Sequence, residues 1–254
     1  MTRRAILIGC ASDTDDNPRL VQGVRRDMEL YKSFLLSLLG GEWREEEITE
    51  LWSPTRIVLL NLLRQIRNDY TFLTFSGHGY VFPADERTYV NLAGEDVASD
   101  YELISQSPRR TIIIDACRSY NPIPAPSPPP LQKLAEALTF ETTRQIFDQS
   151  LSRAEKGTII LYSTGSDEAA DSNEKGGFFT QSILNGARQW YNTTSEDVLD
   201  VHKAFVRAGS ILQTYPGPQH PEIKTGRRNK MFPFAVRQPT TDSNLSLGGL
   251  VDKI

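Results

Sequence analysis

The chain has 254 residues, 39% of them hydrophobic, two cysteines and a formal net charge of −4. That is apolar material for one sizeable core, in one or two domains. The mild acidity argues against general nucleic-acid binding, no apolar run is long enough to span a bilayer, and two cysteines make no disulfide framework. The simplest compartment is therefore a reducing cytosol, where a thiol stays free for chemistry.

The opening MTRRAILIGC has a basic head, but its apolar stretch is short and Asp13, Asp15 and Asp16 follow. It reads as a first strand, Arg4–Cys10, and not as a signal peptide. Val24–Leu39 then carries Met28, Leu30, Tyr31, Phe34, Leu35, Leu38 and Leu39 at helical spacing and stops at Gly40-Gly41. A strand is predicted at Glu47–Leu51, and a helix opens at Ser53-Pro54 with Ile57, Leu60, Leu63 and Ile66 in a stripe. Further strands are predicted at Thr71–Ser76, Thr111–Asp115, Gly157–Ser163 and Phe232–Val236. Asp100–Gln106 reads as a short helix, and Phe178–Trp190 and Ser195–Gln213 as longer ones. Near-continuous apolar strands alternating with helices imply an α/β sandwich around a mostly parallel, roughly six-stranded sheet. Residues 120–130, YNPIPAPSPPP, place proline at six of eleven positions and cannot pair as a strand. They open an insertion, about residues 118–156, whose later part, Leu131–Arg153, is patterned as a helix. One domain is expected over residues 1–237, and 238–254 form a polar tail.

In open parallel sheets, functional groups gather beyond the carboxyl ends of the strands. Two such ends carry chemistry. Thr71–Ser76 delivers Gly77-His78-Gly79, and Thr111–Asp115 delivers Ala116-Cys117-Arg118. If the two strands are neighbours, an imidazole and a thiol share one edge, where histidine can take the thiol proton. The N–H groups of Gly79 and Cys117 would then point at a developing oxyanion. Taken singly, the cysteine is most simply a small core residue and the histidine a turn residue; the pair is what points to a site.

Phe75-Ser76-Gly77-His78-Gly79 resembles the histidine motif of the caspase and metacaspase clan, and Asp115-Ala116-Cys117-Arg118-Ser119 resembles its cysteine motif. Ala5-Ile-Leu-Ile-Gly9, followed by Leu20-x-x-Gly23-x-x-x-Asp27, resembles the clan's first strand and first helix. Gly177-Phe178-Phe179-Thr180 resembles the segment after its substrate-binding loop. The resemblance implies a caspase-like three-layer sandwich and cysteine endopeptidase activity through a His78/Cys117 dyad. It also bears on P1, the residue before the scissile bond. Caspases select aspartate with arginines and a glutamine two places before the cysteine; metacaspases select arginine or lysine with acids. Here Asp115 holds the glutamine position, the matched caspase arginine falls at Val21, and Arg19 is out of register. Asp27 and Ser76 match an acid and a serine of the basic-selective pocket. Two carboxylates suit a guanidinium or ammonium and repel an aspartate. Cleavage after Arg, then Lys, is therefore expected, in a protein substrate exposing those residues.

Bland meanings remain for parts of this pattern. Asp27 suits a helix N-terminus, and Asp167, Glu168 and Asp171 suit a solvated loop. Lys133, Arg144, Arg153 and Lys156 in the insertion suit self-cleavage, and a permanent helical insertion equally. The resemblance allows calcium, with Asp96 and Asp100 or Asp13, Asp15 and Asp16 as possible ligands, but no residue-by-residue match; no other cofactor is expected. His202 and His220 have no zinc spacing, and Cys10 reads as a core thiol. A bare catalytic domain implies an activating or inhibitory partner protein, by analogy in a prokaryotic stress or defence pathway. The competing readings are a catalytically silent caspase-like binding scaffold, a caspase-like peptidase with non-basic P1 preference, and a nucleotide- or small-molecule-binding α/β protein, for which this chain shows the βα alternation but not the phosphate-binding glycines.

Overall fold

A computed structural model of the chain describes residues 1–11, 18–82, 84–119, 142–215, 217 and 219–238. Apolar runs buried on both faces make the central strands. β1 (Arg3–Cys10) is followed by α1 (Pro18–Leu36), β2 (Ile48–Trp52), α2 (Arg56–Gln65) and β3 (Tyr70–Gly77). Three short strands come next, β4 (Gly79–Phe82), β5 (Arg87–Asn91) and β6 (Val97–Ser99), and then β7 (Arg109–Ala116). The described chain continues with α3 (Thr142–Arg153), β8 (Gly157–Tyr162), β9 (Ser172–Asn173), β10 (Gly176–Gly177) and α4 (Phe178–Thr193). It closes with β11 (Val198–Asp200), α5 (Val201–Leu212), β12 (Glu222–Lys224) and β13 (Pro233–Val236).

The main sheet has six strands in the order β12-β8-β7-β3-β1-β2. All neighbours are parallel except β12, which pairs antiparallel with β8. Side-chain alternation divides the core in two. Ala5, Leu7, Phe72, Ile113 and Leu161 pack with α1, α3, α4 and α5; Ile6, Ile8, Leu73, Ile112 and Ile114 pack with α2 and the inner residues Val90 and Ala98 of the small sheet. The result is helix, sheet, helix, as the sequence predicts.

Three expectations are corrected. Phe232–Val236 is a strand, but β13 pairs with β11 and stands outside the central sheet; the sixth strand is β12, whose charged Glu222 and Lys224 suit an exposed edge. The helix expected at Ser195–Gln213 starts only at Val201, where Asp200 accepts a hydrogen bond from the Lys203 N–H at 2.8 Å and caps it. Asp100–Gln106 is a series of turns. There Ser105 and Ser107 spend their hydroxyls on Thr71 instead of on a helix. Of the insertion, α3 realises the end of the expected helix, while residues 120–141 and the tail from 239 lie outside the described residues.

Candidate active site

β3 and β7 run side by side and in parallel, with Ser76 opposite Asp115 and Gly77 opposite Ala116. His78 and Cys117 are the next residue on each strand, so the sheet brings both to one edge. Gly79 fits tightly between the Tyr89 and Cys117 backbones: a Cβ there would lie 2.8 Å from the Tyr89 carbonyl oxygen and 3.1 Å from that of Cys117. Only glycine allows the backbone this approach.

Below this edge, on the α1 and α4 side of the sheet, the structure gathers Asp27, Ser76 and Asp115. The Ser76 hydroxyl donates to Asp27 Oδ2 at 2.6 Å. The Gly177 N–H donates to Asp27 Oδ1 at 2.8 Å. Thr180 donates to Asp115 Oδ2 twice, from its N–H at 3.0 Å and its hydroxyl at 2.7 Å. Both acids are buried. Burial pushes both carboxyl groups above the usual carboxylate range; the charge of Asp115 raises Asp27 further, while the Ser76, Gly177 and Thr180 donors pull downward. The pair thus resists carrying two negative charges while it is enclosed.

It is enclosed by the chain itself. A Cβ on Gly176 would come within 2.3 Å of Asp27 Oδ1, and one on Gly177 within 2.3 Å of Asp115 Oδ2. The segment before them covers the thiol. The Ala170 N–H donates to Cys117 Sγ at 3.4 Å, and the thiol returns a long contact to the Ala170 carbonyl at 3.8 Å. Burial raises the Cys117 pKa; the Ala170 N–H opposes this, and the charges of Asp115 and Asp171 add to it. Together these effects favour the thiol over the thiolate at rest.

Arg118 ties this edge together. Its guanidinium is buried over the Tyr162 ring at 4.3 Å and donates to Thr88 Oγ1, the Thr164 carbonyl, Ser166 Oγ and Glu222. Its N–H donates to the Glu168 carbonyl at 2.8 Å.

The profile of the caspase domain family matches residues 2–233. The chain belongs to the caspase domain family. With that membership comes the general activity of a cysteine peptidase. Among solved structures, caspase-1 from Spodoptera frugiperda is similar in fold, with a TM-score of 0.58 at 14% sequence identity over 89% of this chain and 90% of that one. No curated protein is similar enough in sequence to count as a match.

Other groups singled out from the sequence of this caspase domain are dispersed. The Asp96 carboxylate accepts from the Arg56 N–H at 2.8 Å and caps α2. Asp100 is buried with the Tyr162 hydroxyl at 2.5 Å and Lys224 at 3.5 Å. Asp13, Asp15 and Asp16 lie outside the described residues. No group of three or more metal-ligating side chains occurs among the described residues. His220 pairs with Glu168 at 2.6 Å, and Cys10 is buried. Among the described residues, no helix is long and apolar enough to cross a membrane. Sequence reasoning missed Tyr31, Ala170 and Thr180 as neighbours of the site. For Thr180 the signal was its place at the end of the Gly177–Thr180 motif.

Proposed function

We propose that this caspase domain is an endopeptidase that cuts after arginine and, next, lysine. The observation that carries the reading is the juxtaposition of His78 and Cys117 above an acid cluster of Asp27, Ser76 and Asp115. His78 takes the Cys117 proton, and the thiolate attacks the scissile carbonyl. The N–H groups of Gly79 and Cys117 face the tetrahedral oxyanion. His78 returns the proton to the leaving amine, and water, deprotonated by His78, releases the acyl group. The P1 cation enters between Asp27 and Asp115, whose paired charges match a guanidinium fork better than a point ammonium. The sealed slot supports control by a partner protein or by processing, which would draw residues 170–177 aside.

A positional-scanning P1 peptide library, with Cys117→Ala as blank, tests this. Preference for Arg over Lys over all others is expected; a preference for aspartate or an apolar P1 would end the basic assignment. The covered thiol is also the observation that favours a second reading, a silent scaffold that works by binding. Labelling of Cys117 by an arginyl electrophile, lost in His78→Ala, excludes the scaffold.

A further inference from the structure

Tyr31 sits one helical turn beyond Asp27 on α1, on the same face. It is 2% exposed, and its ring packs on Phe72 with centroids 6.0 Å apart. Among the described residues, its hydroxyl has no hydrogen-bond partner. A buried donor left unpaired costs stability, and one that persists asks for a reason. Core filling is not that reason, because neighbours such as Phe34 and Phe72 fill the same core without a hydroxyl.

The surroundings of that hydroxyl supply one. The charges of Asp115 and Asp27 both reach it, and the Thr180 side chain lies toward it without forming a sound hydrogen bond. The acid pair meanwhile borrows donors from its cover, since the Gly177 N–H serves Asp27. A P1 cation enters only once that cover moves, and the pair then needs another donor to hold two charges. We propose that Tyr31 is a positioning residue of the slot floor, its hydroxyl turning onto Asp115 as the P1 cation enters and holding that carboxylate in the receiving orientation. The inference rests on the basic-P1 reading.

Burial keeps the Tyr31 phenol protonated, its pKa well above the ordinary value, so it remains a donor. The groups facing the acid pair are Asp27 and Tyr31 from α1, Ser76 from β3, Cys117 beyond β7, Ser163 after β8, and the Gly177 N–H and Thr180 from the α4 end. Asp171 adds its charge at Cys117.

The test compares full-length wild type and Tyr31→Phe on Arg and Lys peptides identical outside P1, from acid to neutral pH, alongside thermal melting. The variant is expected to lose about tenfold in kcat/KM on the Arg peptide, chiefly through KM. The acid limb of its kcat profile should move to higher pH, because in the complex the ionised pair has lost a donor. Its Tm should be equal or higher, because an unpaired buried hydroxyl is gone. Kinetics and acid limb unchanged from wild type overturn the role, and so does a variant that melts early or fails to fold. A wild type that cuts neither peptide yet cleaves after another P1 residue defeats the basic reading, and the inference falls with it; that outcome is distinct from an unaltered Tyr31→Phe.

Discussion

At the scale of single residues, the two cysteines differ by environment more than by sequence. Cys10 is enclosed at the end of β1, and burial pushes its thiol up to about 12. Cys117 is partly exposed and raised for the reasons given above. Native alkylation by iodoacetamide, followed by peptide mass spectrometry, should therefore modify Cys117 alone. Its rate should climb about tenfold per pH unit above neutrality, as the thiolate fraction grows. A rate already at plateau near neutral pH would show a thiol ionised at rest. The acid pair makes a second prediction. On the basic-P1 proposal, Asp115→Asn removes one of the two charges that would receive the P1 cation, and should lower kcat/KM on Arg substrates about a hundredfold. Its effect on stability has a definite sign. Both carboxyl groups are raised in the folded state, so the native chain binds more protons than the unfolded one between the ordinary carboxylate value and the raised one. Their contribution is therefore present at low pH and lost as pH rises through the raised values. Urea titrations across that window should show a shallower fall in Asp115→Asn than in wild type; a steeper fall contradicts the coupling of the pair.

At the scale of elements, Arg118 joins four pieces of chain that sequence order keeps apart: the end of β7, strand β5, the loop after β8 and the edge strand β12. Its partner Glu222 is half exposed, so the ion pair itself is worth little and Glu222→Gln should cost under about 1 kcal/mol. The buried guanidinium is different, because its removal strands the Thr164 carbonyl and the hydroxyls of Thr88 and Ser166. Arg118→Ala should cost about 3 kcal/mol in urea unfolding, and Arg118→Lys should recover little of it, since an ammonium lacks the planar fork and the stack on Tyr162. A lysine variant as stable as wild type would show that charge alone suffices. Which elements were legible follows from the same physics. The central strands announced themselves because burial on both faces demands continuous apolar runs, as in Thr111–Asp115. β12 did not, because an edge strand needs only Ile223 turned inward between two charged residues. β4, β5 and β6 were hidden because each is short, and β4 and β5 are half solvated, with Tyr80 stacked on Tyr89 at 5.6 Å on the outer face. The leading pair Arg3-Arg4 looked like a solvated head. Yet Arg3 is buried against Trp43 at 4.5 Å and bonded to the Gly41 carbonyl, a long-range fate that no local pattern encodes.

At the scale of the whole molecule, the sequence displayed the residues of the candidate site but not its closed state. His78, Cys117, Asp27, Ser76 and Asp115 could be placed from strand ends and motif spacing. The cover could not, because it is made of backbone: the Gly177 N–H reaches Asp27 across 150 positions of sequence, and the Ala170 amide reaches Cys117 across 53. Only the consecutive Gly176 and Gly177, small enough to lie on two carboxylates, hinted at it. If the slot receives an arginine side chain, these two backbone contacts and the side chain compete for the same groups. A guanidinium needs the Asp27 and Asp115 oxygens that Gly176 and Gly177 now cover, and a covalent adduct at Cys117 displaces the Ala170 contact. Hydrogen exchange should record the exchange of partners. In the resting protein the Ala170 and Gly177 amides should be protected; after labelling by an arginyl electrophile both should exchange faster, while amides in the middle of β3 and β7 stay as slow as before. Faster exchange throughout the sheet would mean that labelling loosens the fold and not the cover. Unchanged protection at Gly177 in a fully labelled sample would mean that the cation binds elsewhere, and the acid pair would then lose its place as the P1 receptor.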